Sequence, residues 1–146
     1  RARLEGIAAG LGLSAPAVVF AGMVPPAQVP DWYQLGDLFV SASTSETQGL
    51  TYIEALAAGV PVLCRADPCL DGVVREGENG WQYHSADEFR SRLGWYLAHP
   101  DRWRAMADRA RRSAEPFSLQ NFSGQVETIY RRQIARRQGE TRGVPA

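Results

Sequence analysis

The stretch Ser45-Glu46-Thr47-Gln48-Gly49-Leu50-Thr51-Tyr52-Ile53-Glu54-Ala55-Leu56-Ala57-Ala58-Gly59-Val60-Pro61-Val62 decides how this chain is read. It opens polar, turns at Gly49, runs through Leu- and Ala-rich sequence to Gly59, and leaves in an apolar Val-Pro-Val. The pattern predicts a loop, a helix over 50–58 stopped by Gly59, and a strand over 60–64, with Pro61 near its start, where proline is tolerated. At the loop-to-helix junction, Gly49 has no Cβ and lets a ligand approach the backbone closely. The first turn of a helix also leaves amides without intrahelical partners at the positive end of the macrodipole. The amides of Gly49, Leu50 and Thr51 therefore suit an anion such as a diphosphate.

Glu46 precedes this anion seat on the loop, and Glu54 follows it within the helix. A carboxylate beside a phosphate would be repelled, so both acids suit hydroxyl donors such as those of a ribose or a sugar. An acid on each side of a diphosphate matches a nucleotide sugar. A plainer reading remains beside this one. Thr51-x-x-Glu54 has the form of a capping box, which would leave Glu54 a helix-capping residue. Glu46 could likewise be an ordinary solvated loop acid.

Upstream, Asp37-Leu38-Phe39-Val40 reads as a strand, and the apolar run Ala17-Val18-Val19-Phe20-Ala21, ended by Gly22, as another, buried one. A helix is predicted over 4–13 and a short one around Trp32–Leu35. Downstream, Trp81-Gln82-Tyr83 is a short strand after a turn at Glu78-Asn79-Gly80, and helices are predicted over 87–98, 101–115 and 119–137. The tail 139–146 is predicted to be disordered. Strand and helix alternate, which predicts an α/β fold: a Rossmann-like parallel sheet with helices on both faces, ligands lying at the C-terminal strand ends. The loops 22–30, 41–49 and 65–72 then lie on the functional edge.

The E-x7-E pattern from Glu46 to Glu54, followed by Ala-Leu-Ala-Ala-Gly-Val-Pro-Val, resembles the retaining GT-B glycosyltransferases, glycosyltransferase family 4-like, typified by sucrose and trehalose-type synthases and lipid mannosyl- and glucosyltransferases. Phe20-Ala21-Gly22-Met23-Val24 is similar to that family's F-x-G-x-V element. Asp37 to Ser43 is similar to its D-x-x-V-x-P-S element, with Ala42 in place of proline, and Gly77-Glu78-Asn79-Gly80 to its G-x-N-G turn. The wording Glu46-Thr47-Gln48-Gly49-Leu50 is closer to diacylglycerol glucosyltransferases; most of the family has Phe where Gln48 stands.

The resemblance implies that residues 1–138 are the C-terminal, donor-binding domain of a two-domain enzyme, with 119–138 crossing toward an N-terminal acceptor domain. By it, Glu46 is the catalytic contact to the transferred hexose and Glu54 binds the ribose. Gly49, Leu50 and Thr51 hold the diphosphate, with Gln48 among the donor-binding residues and Gly22, Met23 and Val24 beside the base. It implies a nucleotide-sugar donor, UDP-linked by family frequency, and no metal or cofactor; no D-x-D motif occurs. The family's diphosphate-clamping Arg and Lys are expected upstream of this chain, so weak nucleotide binding and no turnover are expected from the chain by itself. Rival readings are a nucleotide-sugar epimerase of GT-B fold and a non-enzymatic nucleotide- or phosphate-binding module.

Composition is compatible with all of this. The chain has 146 residues, 45% hydrophobic and 22% charged, with a formal net charge of zero, which disfavours nucleic acid as a partner. There is no lysine, so any side-chain cation offered to a phosphate is arginine. Arginines crowd the last third, where they read as a solvated face, with peripheral contact to anionic lipid as the alternative. Cys64 and Cys69, a C-x4-C pair with no nearby His, read as reduced thiols of a cytoplasmic protein, active at the inner face of the membrane if that lipid contact is made. Trp81, Trp95 and Trp103 read as core rather than as a sugar platform.

Overall fold

A computed structural model of the chain describes residues 1–13 and 15–141. Helix α1 (Ala2–Gly10) leads into irregular chain, a single 3-10 turn at Pro26–Gln28, and the short helix α2 (Val29–Gln34). Strand β1 (Phe39–Ser41), helix α3 (Leu50–Ala57) and strand β2 (Val62–Arg65) follow. After a 3-10 turn at Pro68–Leu70 come strand β3 (Gly80–Tyr83) and helices α4 (Ala86–Ala98), α5 (Pro100–Ala114) and α6 (Leu119–Thr141). The three strands form one parallel sheet in the order β1-β2-β3, with Phe39 opposite Val62 and Val62 opposite Gly80.

The period of two along β2 divides the core. Val62 and Cys64 join Tyr52, Ala55 and Leu56 of α3 and Ala110 and Ala114 of α5 on one face. Leu63 joins Trp81 and Tyr83 of β3, Tyr96 of α4 and Met106 of α5 on the other. Helices therefore cover both faces, as predicted, and α5 serves both layers. Trp81 is buried, and Trp95 and Trp103 pack against the second cluster, so all three are core residues.

Helix α3 is short because both its ends are specified. Gly59, at φ 81°, donates to the Leu56 carbonyl while Val60 donates to that of Ala55, a Schellman closure that returns the chain directly into β2. Ala55 of α3 shares the first cluster with Ala110 and Ala114 of α5, small side chains that let the two helices approach closely.

One predicted strand does not form. Residues 17–21 are irregular, and among the described residues the ladder ends at β1. Val19 is 72% exposed. A parallel strand needs a neighbour for its amides and carbonyls and a layer over each face. The run 17–21 has neither here, so an unbroken apolar sequence is not enough to make it a strand. Smaller shifts are at element ends: α2 begins at Val29, ahead of the predicted start, and α6 continues to Thr141. The remainder of the predicted tail, 142–146, lies outside the described residues.

Candidate functional site

Gly49 stands as the N-cap of α3 in the left-handed region, φ 62° and ψ 28°. No side chain caps this helix. Its first turn is closed by the Tyr52 and Ile53 amides, which donate to the Gly49 carbonyl at 3.1 and 3.2 Å. The amides of Gly49, Leu50 and Thr51 precede those bonds and point out of the helix end. Leu50 and Thr51 are exposed, so the seat is open to solvent. Gly49 itself is buried. A Cβ there would lie 2.8 Å from Leu70 Cδ2. The glycine is thus required by the backbone and by Leu70 packed beneath it, as well as by any ligand above.

The uncapped N-terminus removes the capping-box reading of Thr51 and Glu54. The Glu54 carboxylate instead accepts a hydrogen bond from the Tyr33 hydroxyl, 3.1 Å to Oε2. Both line a cleft of about 290 Å³ between α2 and α3, with Pro26, Val29, Pro30 and Ala57. Glu46 is held by a second tyrosine. The Tyr52 hydroxyl lies 2.9 Å from Glu46 Oε1 and 2.9 Å from Ser41 Oγ. A carboxylate only accepts, so the phenol proton goes to Glu46 and the Ser41 hydroxyl donates to the phenol oxygen. Burial, reinforced by the carboxylate each one faces, pushes both phenols up: Tyr33 to about 12, and Tyr52 also to about 12 against a lowering contribution from Ser41. Both hydroxyls therefore remain donors at neutral pH.

The loop carrying Glu46 is tied to the next strand end as well. Its amide donates to Asp67 Oδ2 at 3.4 Å, while Asp67 Oδ1 accepts from the Cys69 amide at 2.9 Å. The Tyr83 hydroxyl reaches the Ser41 carbonyl at 3.1 Å. The C-terminal ends of all three strands are thus laced together around Glu46. Beyond β2 and β3 a wider cleft of about 570 Å³ opens, lined by Asp67, Asp71, Glu76, Gln82, His84 and Glu88 among others.

The residues named from sequence are not all gathered. Glu46, Gly49, Leu50 and Thr51 lie at the α3 N-terminus, and Glu54 one turn further along the helix, in the α2–α3 cleft. Gln48 is exposed beside them. Gly22, Met23 and Val24 lie on the irregular segment before α2, where Met23 is fully exposed and no described hydrogen bond or ring contact ties them to either acid. Pro26, two positions further on, does line the Glu54 cleft. Tyr33, Ser41, Tyr52 and Asp67 were not legible as site residues, because a tyrosine in an apolar helix pattern reads as core. Both cysteines are free thiols, Cys64 buried. Among the described residues no three His, Cys, Asp or Glu side chains are grouped to hold a metal ion, and no helix is long and apolar enough to cross a membrane.

Comparison with known proteins places this arrangement. The family model for glycosyl transferases group 1 matches residues 1–113, and the chain belongs to that family. It is 37% identical over 109 residues to an alpha-monoglucosyldiacylglycerol synthase of Acholeplasma laidlawii, covering 75% of this chain and 27% of that protein. Among solved structures it superposes on sucrose-phosphate synthase from Thermosynechococcus elongatus with a TM-score of 0.79 at 26% identity, over 92% of this chain and 34% of the other. A pneumococcal O-GlcNAc transferase, solved in complex with UDP and GlcNAc, matches with a TM-score of 0.68 at 24% identity, over 88% and 27% of the two chains. The fold is that of the GT-B glycosyltransferases, and the chain spans about a quarter to a third of the length of these relatives.

Proposed function

We propose that this chain is the donor-binding half of a retaining glycosyltransferase that moves a hexose from a nucleotide-diphosphate sugar, UDP-linked, to a lipid or saccharide acceptor bound by the rest of the protein. The observation that carries the reading is the Gly49-capped, uncapped-by-side-chain N-terminus of α3 with one tyrosine-held acid on each side. The diphosphate sits on the amides of Gly49 to Thr51, Glu54 accepts from the ribose hydroxyls, Glu46 meets the hexose, and Gln48, Gly22, Met23 and Val24 complete the donor site on the nucleotide. As the diphosphate leaves, the sugar becomes oxocarbenium-like, and preorganised amides stabilise the charge gathering on the leaving group. No metal or cofactor enters this scheme. An acceptor that is a lipid would place the whole protein at the cytoplasmic face of a membrane, with the arginine-rich end as a peripheral contact, and the chain by itself would bind donor without turnover.

An amide NMR titration of the chain with UDP, GDP and ADP tests this. The Gly49, Leu50 and Thr51 amides are expected to shift with one nucleotide, and Glu54→Gln to weaken that binding about tenfold, the worth of one charge-assisted hydrogen bond. Shifts confined to other regions, or a response indifferent to Glu54→Gln, would remove the donor-site assignment. Product analysis of the whole protein separates transfer from epimerisation.

A further inference from the structure

The two acids of the site are joined by a continuous aromatic stack. Tyr33 meets Phe39 edge-on with ring centroids 5.7 Å apart, and Phe39 meets Tyr52 edge-on at 5.6 Å. The hydroxyl at one end of the stack holds Glu54 and the hydroxyl at the other holds Glu46. Phe39 is in β1, so the stack is anchored in the sheet, and Tyr52 is 1% exposed. Its ring cannot turn without displacing the core around it. The Ser41 hydroxyl, also from β1, fixes the Tyr52 oxygen from the other side.

We infer that Tyr33-Phe39-Tyr52 is a spacer that sets the placement of Glu46 relative to Glu54, with Tyr52 the positioning residue for the hexose end of the donor and Tyr33 for the nucleoside end. This rests on the donor-site reading above. Three features argue for it. Glu46 lies on a loop, where an unsupported carboxylate would sample many rotamers; a donor fixed in the core removes that freedom before ligand arrives. Tyr52 occupies only Oε1, leaving Oε2 without a described hydrogen bond and open to a ligand hydroxyl. The two tyrosines come from different helices, so either grip can be removed while the other stays intact.

The test is a crossed binding measurement on the 146-residue chain, using three probe pairs: UDP with UDP-glucose, GDP with GDP-mannose, and ADP with ADP-glucose. Dissociation constants come from NMR titration, and folding of each variant is checked by its amide spectrum. Tyr52→Phe, which keeps the ring and removes the hydroxyl, is expected to weaken the nucleotide sugar roughly tenfold while the matching nucleotide changes less than about twofold. Tyr33→Phe is expected to weaken both members of the pair alike. A residue with only a structural role would shift both ligands together in both variants. If Tyr52→Phe weakens nucleotide and nucleotide sugar equally, or neither, the spacer is overturned while the donor site stands. If neither the unaltered chain nor one extended upstream to restore the expected Arg and Lys clamp binds any member of any pair, the donor site and the spacer fall together. Should Tyr52→Phe fail to fold, Ser41→Ala frees the same phenol from its other partner, and an unchanged ratio of the two constants in that variant overturns the inference.

Discussion

At the scale of single residues, Gly49 carries more constraint than its neighbours. Its φ of 62° is in the left-handed region, and its missing Cβ is where Leu70 packs. Alanine there takes on backbone strain and an overpacked contact together, at a cost of about 2–4 kcal/mol. Urea unfolding of Gly49→Ala should show a midpoint lowered accordingly with an unchanged slope; a loss below about 1 kcal/mol would mean that neither the left-handed backbone nor the Leu70 contact resists the new methyl. The turn glycine was legible in the sequence, because it stands between a polar loop and an Ala-rich helix, and the two flanking carboxylates were legible as candidates by their spacing alone. The residues that orient those acids were not. Tyr33 and Tyr52 are apolar-patterned positions, and only their hydroxyls, at the rims of the core, belong to the site. Ser41 and Asp67 come near Glu46 only because β1 and β2 end side by side.

Among elements, α5 holds the rear of the molecule. The buried Asn79, just before β3, donates to the Val73 carbonyl at 2.9 Å and to Ser113 Oγ at 2.8 Å, and accepts from the Arg75 amide at 2.7 Å. Ser113 in turn donates to the Ala110 carbonyl. One amide side chain thus satisfies the buried backbone of the 73–79 turn and ties it to α5. Replacing it by alanine leaves the buried Val73 carbonyl and the part-buried Arg75 amide without this partner, costing about 2–3 kcal/mol. Denaturant unfolding of Asn79→Ala checks the magnitude, and faster hydrogen exchange at Arg75 checks the location. The element types from β1 to α6 follow from periodicity and glycine or proline punctuation. The expected strand at 17–21 does not follow, since whether an apolar run pairs depends on what lies beside it.

For the whole molecule, burial makes the fold sensitive to alkali. All 16 residues of the lysine and arginine type are arginine, so no lysine titrates as pH rises. Burial pushes the Cys64 thiol from 9.0 up to about 12, and Tyr33 and Tyr52 from 10.0 up to about 12, with Tyr96 raised as well. Between those limits the native chain holds protons that the unfolded chain has released, so the stability these groups contribute is complete below about pH 9 and declines as pH climbs toward 12. Urea midpoints measured from pH 8 to 11 should fall, and with both raised thiols removed, in Cys64→Ala/Cys69→Ala, the fall should begin about one pH unit later, where the tyrosines take over. A flat profile would show that these groups titrate alike in both states. The sequence by itself determined the α/β class, a helix α3 set between two parallel strands and the glycine at its N-cap, because these depend on local period, turn chemistry and residues close in the chain. Only the tertiary structure decided that the run 17–21 stays irregular, that Tyr33 and Tyr52 grip the two acids, and that Phe39 bridges them: each rests on which side chains distant elements bring within a few ångströms, and no local pattern encodes that distance.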